Sequence, residues 1–204
     1  CSWYITYNFL LMNKIHFNNI DSTNEYLKQN YKILEDLTFV SADYQTKGRG
    51  SNNREWESEN SKNLLFSFLL LDKSLFQRHE EVSLVTALSI IQVLEKNGIE
   101  ELKIKLPNDV YVKDKKICGT LLESTSLGEM QCLIVGVGLN VNQESFDGEY
   151  RATPTSIYKE LGQKLDIEKI KEELYEVILN NIELIKNNYD FNPLISKYLI
   201  SAKI

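Results

Sequence analysis

Four short clusters in the chain combine residue types that suit anions and polar rings. Asp21-Ser22-Thr23-Asn24 offers two hydroxyls and an amide at a strand-to-helix junction, beside the free N–H groups of a helix start. The same residues also make a plain N-cap that needs no ligand. Gln45-Thr46-Lys47-Gly48-Arg49-Gly50, continuing through Arg54 to Trp56, sets an arginine between two glycines. Glycines let the backbone wrap closely round an anion, and Lys47, Arg49 and Arg54 supply charge. The spacing is neither that of a P-loop nor that of a dinucleotide fingerprint, and a solvated charged loop is the alternative. Lys105-Leu106-Pro107-Asn108-Asp109 is a turn with a lysine at one end and a carboxylate at the other, followed by Lys113, Lys115, Lys116 and Gly119. Gly136-Val137-Gly138-Leu139-Asn140 places glycines inside an apolar run, the mark of a bulge or of a group that approaches the backbone closely.

These clusters fall at the ends of predictable elements. Lys14 to Ile20 alternates like a short strand, and Ser22 and Glu25 stand at capping-box spacing, so a helix should run from there to about Gln29. Thr38 to Asp43 and the apolar run Asn63 to Leu71 are strand candidates, the second a buried central one. Between them, Gln45 to Lys62 reads as a long loop, of a length that is uncommon in compact domains and tends to be functional or disordered. Val82, Val85, Leu88, Ile91 and Leu94 mark one face of a helix over about Arg78 to Asn97, with Gly98 ending it. Strands are then expected at Leu102 to Lys105, Val110 to Val112, Ile117 to Ser124 and Met130 to Leu139, with a hairpin turn between Val112 and Ile117. Helices at Ile167 to Asn187 and Pro193 to Leu199 close the chain. The pattern predicts an α+β domain: a mixed, mainly antiparallel sheet with helices packed on one face.

The 204 residues suffice for one large domain with a real core. Hydrophobic residues at 43% and charged residues at 25% exclude disorder, collagen and coiled coil. A net charge of −6 argues against nonspecific nucleic-acid binding, which needs clustered Lys and Arg. Cys1, Cys118 and Cys132 show no C-x-x-C spacing and read as reduced thiols of a cytoplasmic protein, although a Cys118–Cys132 disulfide is conceivable. Two distant histidines leave no zinc constellation, so no bound metal is expected among the site residues. Cys1 to Met12 is apolar but too short to span a bilayer, and reads as an extension ahead of a domain at 13–204.

Taken in order, the clusters resemble the catalytic domain of biotin protein ligases. That family carries D-S-T-N, Q-x-x-G-R-G-x-x-x-R-x-W, K-W-P-N-D, G-x-K-x-x-G-I-L-x-E and G-x-G-x-N. Here these stand at Asp21 to Asn24, Gln45 to Trp56, Lys105 to Asp109, Lys116 to Glu123 and Gly136 to Asn140. The resemblance runs from about Lys14 to Asn142. Leu106 replaces the family's Trp, while Ser51 and Asn52 stand where further arginines are usual, so a less basic loop is expected. A DNA-binding helix-turn-helix before Asp21 and the family's small C-terminal barrel are not foreseen in these residues, which reads as a minimal ligase or a fragment.

The resemblance implies that the carboxylate of biotin is joined to the α-phosphate of ATP, with Mg²⁺, and that biotin then passes to a lysine of a biotin carboxyl carrier protein. Setting a carboxylate against a polyphosphate opposes two anions, so preorganised cations and backbone donors must carry the catalysis. By the same resemblance Arg49 and Lys116 do that work, and Asp109 orients or deprotonates the incoming amine. Ser22, Thr23, Asn24 and Gln45 would meet the ureido ring, Gly48, Gly50 and Ser51 would close the loop with Arg49 and Lys116, and Trp56 and Gly119 would form an apolar wall. Arg49, Arg54, Lys105, Asn108 and Asn140 would serve the nucleotide. A monomer or homodimer without membrane or nucleic-acid partners is implied. Two other readings are a lipoate or octanoate transferase of the same fold, which needs an apolar slot in place of ring-binding hydroxyls, and a non-catalytic biotin-binding module.

Overall fold

Polar clusters at element ends require a rigid frame between them, and the computed structural model shows that frame to be a sheet. It describes residues 13–50, 54–127, 130–148 and 150–200. The extension 1–12 and the loop residues Ser51, Asn52 and Asn53 lie outside the described residues.

Seven strands form one sheet in the order β1-β2-β3-β7-β6-β5-β4. β1 (Lys14–Ile20) lies parallel to β2 (Phe39–Gln45), joined by the crossover helix α1 (Thr23–Asn30). All other pairings are antiparallel: β3 (Leu64–Leu70) lies between β2 and β7 (Met130–Leu139), and β4 (Leu102–Lys105), β5 (Asp109–Val112), β6 (Lys115–Leu127) and β7 form a meander. The mixed, mainly antiparallel sheet expected from the sequence is therefore present, and the hairpin turn falls at Lys113-Asp114 as expected.

Strand alternation divides the side chains between two layers. Phe39, Phe66, Phe68, Val135 and Val137 point to a large core with α3 (His79–Lys96) and α5 (Ile167–Lys186). There α3 is buried nearly all round, because the sheet covers one side and α5 the other. Asn181 of α5 spans that helix pair, donating to Ser89 Oγ at 2.8 Å and to Gln92 Oε1 at 2.9 Å. Val40, Leu69 and Ile134 point the opposite way, onto Leu27 and Tyr31 at α1. The two long helices thus share one face, as foreseen, while α1 takes a place on the other and leaves the rest of that face for a cleft.

Three short helices, α2 (Lys73–Phe76), α4 (Ile157–Leu161) and α6 (Asn192–Ile195), complete the set among the described residues. The helix expected over Pro193 to Leu199 ends at Ile195, because the following residues are needed elsewhere. Ile104 donates to Tyr198 O at 2.8 Å and accepts from Ile200 N at 3.0 Å, so the chain pairs with the outer edge of β4 and satisfies it. Cys118 and Cys132 are both free and buried. Among the described residues no helix is long and apolar enough to cross a membrane.

Candidate active site

The cleft lies on the α1 side of the sheet, and its floor is made of glycines. The register sets Asp109, Gly119, Gly138 and Leu65 side by side across β5, β6, β7 and β3, and Leu121, Gly136 and Ser67 side by side in the next row. At Gly136 an added Cβ would lie 2.3 Å from Asn24 Oδ1, and at Gly138 one would lie 2.5 Å from the Trp56 indole. The glycines therefore let Asn24 and Trp56 rest directly on the backbone of β7. The resulting cleft is open to solvent.

One end is a buried polar network. Ser22 caps α1 by accepting from Glu25 N at 3.4 Å, yet Ser22, Thr23 and Asn24 are 4%, 3% and 4% exposed, unlike a surface cap. Gln45 Oε1 accepts from Thr23 N at 2.8 Å and from Thr23 Oγ1 at 3.0 Å, which leaves the amide N–H groups of Gln45 for a ligand oxygen. Thr23 Oγ1 lies 2.6 Å from Ser67 Oγ, and Ser67 donates to Asn24 Oδ1 at 2.5 Å. Asn24 in turn donates to Glu123 Oε2 at 2.9 Å. The sequence reading missed Ser67; its signal was one hydroxyl in the otherwise apolar run Leu64–Leu70.

The other end is charged. Lys116 Nζ is 2.8 Å from Asp109 Oδ1 and 5.5 Å from the centre of the Trp56 ring. Arg49 reaches in from the loop between β2 and β3, where it contacts Glu25 at 3.1 Å and Glu123 at 3.0 Å. That loop folds back on itself: Gly50 donates to Arg54 O at 2.7 Å and Trp56 to Gly48 O at 2.9 Å. A Cβ on Gly48 would lie 2.3 Å from Trp56 O, so only glycine lets the two arms close. The loop base is tied to the start of α1 by Asp21, which accepts from Thr46 Oγ1 and Lys47 Nζ, each at 2.8 Å. Those partners, Lys47 first, hold the Asp21 carboxyl below its ordinary value of 3.8.

The structure thus gathers Ser22, Thr23, Asn24 and Gln45 at the polar end, with Arg49, Gly50, Trp56, Asp109, Lys116 and Gly119 along the rest of the cleft. Other expected residues stand apart from its lining. Lys105 is exposed, with its ammonium 5.3 Å from the centre of the Tyr111 ring. Asn108 and Thr120 exchange hydrogen bonds that fasten the β4–β5 turn to β6. Asn140 is buried and donates to Thr155 O at 2.9 Å, so its amide holds the segment that flanks Lys116. Arg54 is exposed on the loop. Ser51 lies outside the described residues. Among the described residues, no group of three or more His, Cys, Asp or Glu is placed to hold a metal ion.

The model of the biotin/lipoate A/B protein ligase family matches residues 16–140, which include every one of these clusters. The chain belongs to that family. A biotin–[acetyl-CoA-carboxylase] ligase of Paracoccus denitrificans is 30% identical over 189 residues, covering 89% of this chain and 78% of the relative. The bifunctional ligase/repressor BirA of Bacillus subtilis is 33% identical over 132 residues, but this chain spans only 41% of its length. Among solved structures, a biotin protein ligase from Aquifex aeolicus in complex with biotin and ATP superposes with a TM-score of 0.82 at 34% identity, covering 92% of this chain and 78% of that one. In this member of the biotin/lipoate ligase family the glycine floor and the Arg49, Lys116 and Asp109 side chains therefore sit on the fold shared with that structure.

Proposed function

We propose that the chain is the catalytic unit of a biotin–protein ligase. It joins a carboxylate oxygen of biotin to the α-phosphate of ATP, releasing pyrophosphate. A lysine amine of a carrier protein then attacks the biotinyl carbon, the bond to the phosphate oxygen breaks, AMP leaves, and the amine loses a proton.

The observation that carries this reading is the buried polar end of the cleft. A ureido ring brings one carbonyl oxygen and two N–H groups to an end lined by Ser22, Thr23 and Gln45, whereas a dithiolane ring or alkyl chain would offer nothing to the Gln45 amide N–H groups that Thr23 leaves free. A site built to hydrogen-bond its ligand strongly rejects an analogue that lacks the matching atoms. Ser67 on β3 and Lys116 on β6 lie two strands apart and are also offset along the strands, so the cleft is elongated, a shape that suits a bicyclic ring carrying a five-carbon acid. The acid would then lie by Lys116 and Arg49, the cations that offset repulsion between carboxylate and phosphate. Asp109, which pairs with Lys116, would accept the amine proton in the second step. Mg²⁺ would arrive with the triphosphate and be held by its phosphates. The acceptor is the biotin carboxyl carrier of a carboxylase, as the name of the Paracoccus relative suggests.

The test is ATP–pyrophosphate exchange with biotin and with lipoate in parallel. Biotin alone should support exchange. Exchange with lipoate alone would make the chain a lipoate enzyme, and biotin binding without exchange would make it a binding module.

A further inference from the structure

Arg49 lies on a loop, yet its guanidinium is tied to the frame at both ends of its fork. Nη1 donates to Glu25 Oε2 at 3.1 Å, and Nη2 lies 3.0 Å from Glu123 Oε1. The two carboxylates are not equivalent. The Glu25 side chain is 39% exposed and accepts its other bond from Gln29. The Glu123 side chain is 16% exposed, and its second oxygen accepts from Asn24 at 2.9 Å. Asn24 is itself held by Ser67 and pressed against Gly136. A continuous path therefore runs from the sheet floor through Asn24 and Glu123 to the guanidinium.

Electrostatics alone makes this arrangement costly for an anion site. Two carboxylates offset the charge of Arg49 and would weaken its hold on an incoming carboxylate or phosphate. The compensation is geometric. An arginine side chain has many rotamers to lose, but a planar fork held at two terminal nitrogens has its plane set, and the remaining N–H donors can face a ligand. Preorganised donors count in a transition state because they need not reorganise as charge shifts.

We propose that Glu123 is a positioning residue for adenylation: its half-buried carboxylate sets the plane of the Arg49 guanidinium, with Asn24 as the link to the floor. This rests on the ligase reading, and the experiment separates the two. Single-turnover adenylate formation and biotin affinity are measured for the wild type, Glu123→Gln, Arg49→Ala and the double variant. Glutamine keeps an oxygen for Asn24 but loses the charge that holds Arg49. Glu123→Gln should slow adenylation about 10-fold or more, the effect of losing one close ion pair that holds the guanidinium. Biotin affinity should stay within about three-fold, since the glutamine oxygen still accepts from Asn24 and leaves the rest of the ring-binding network in place. In the Arg49→Ala background the same change should have no further effect, because its target is gone. If the two losses multiply, or if adenylation falls only in step with biotin affinity, Glu123 acts on the fold and the proposal fails. Should Glu123→Gln not fold, Glu123→Asp is read in the same cycle, with a smaller loss expected in the wild type and none beside Arg49→Ala. A wild type that forms no adenylate at all would overturn the ligase reading instead.

Discussion

Lys116 and Asp109 meet at 2.8 Å although simple alternation along β6 would send Lys116 to the far side of the sheet. The register explains the meeting. Asp109 pairs with Gly119 and Val110 with Cys118, but Tyr111 pairs with Lys116, so β6 carries one extra residue at that point. This bulge turns both Ile117 and Cys118 into the helix-side core and returns Lys116 to the cleft face beside Gly119. Bulges of this kind commonly re-aim a side chain next to a site.

Lys116→Ala should therefore remove a cation from the developing charge while leaving the ring-binding end intact. Single-turnover adenylation is expected to fall about 100-fold, with biotin affinity changed less than about three-fold. A rate retained within about 10-fold, roughly 1.4 kcal/mol of barrier, would remove Lys116 from the chemistry.

The floor makes a second prediction. In Gly138→Ala the new methyl would fall 2.5, 2.7 and 2.9 Å from Cε2, Nε1 and Cζ2 of Trp56, and a rigid indole cannot bend away without lifting off the sheet. The variant should lose about 1–3 kcal/mol of stability, and its Trp56 emission, read in a Trp3→Phe background, should shift to the red. Biotin affinity should drop about 10-fold or more, the effect of misplacing one wall of the cleft. Unchanged emission would show that the backbone, not the indole, makes the adjustment.

Much of the fold was legible because it rests on local pattern. The run Leu64–Leu70 announced a central strand, and the α3 periodicity announced a core helix. The four clusters were legible as residue types. Their division of labour was not, because it depends on contacts between distant segments. Asn140 and Asn108 look like ligand amides in sequence, yet Thr155 and Thr120 take their hydrogen bonds. Glu25 looks like a capping-box residue, yet its carboxylate accepts from Gln29 and Arg49. The bulge at Ile117 leaves no trace in Lys115-Lys116-Ile117-Cys118-Gly119, where two strand periods overlap without a break.

Ser67 offers a test of the polar end. Its hydroxyl sits between Thr23 Oγ1 at 2.6 Å and Asn24 Oδ1 at 2.5 Å, and the residue is 0% exposed. Ser67→Ala leaves two buried polar atoms short of a partner, so stability should fall about 1–3 kcal/mol in urea unfolding. Biotin affinity should fall with it, because Asn24 loses the bond that holds its amide on the floor. A loss of stability with full biotin affinity would confine Ser67 to the fold.

The last prediction concerns pH and the tie between the loop and α1. Asp21 accepts from Lys47 and Thr46, both exposed, and these partners lower its pKa from 3.8. A carboxyl with a depressed pKa in the folded state binds its proton more weakly there than in the unfolded chain. Its stabilising contribution is therefore full above pH 3.8 and is lost as the pH falls through the lower folded value. Lys47 mirrors this, since Asp21 raises its pKa above 10.5, and its contribution is full below that pH and lost above the higher folded value. The wild type should thus exceed Asp21→Asn in urea midpoint at neutral pH, and the difference should shrink toward strongly acid and strongly alkaline solution. Because the pair is solvent-exposed, added salt should shrink it too. Asparagine can still accept from Thr46, so a difference that stayed constant across pH and salt would mean that the tie is made by hydrogen-bond geometry and not by charge.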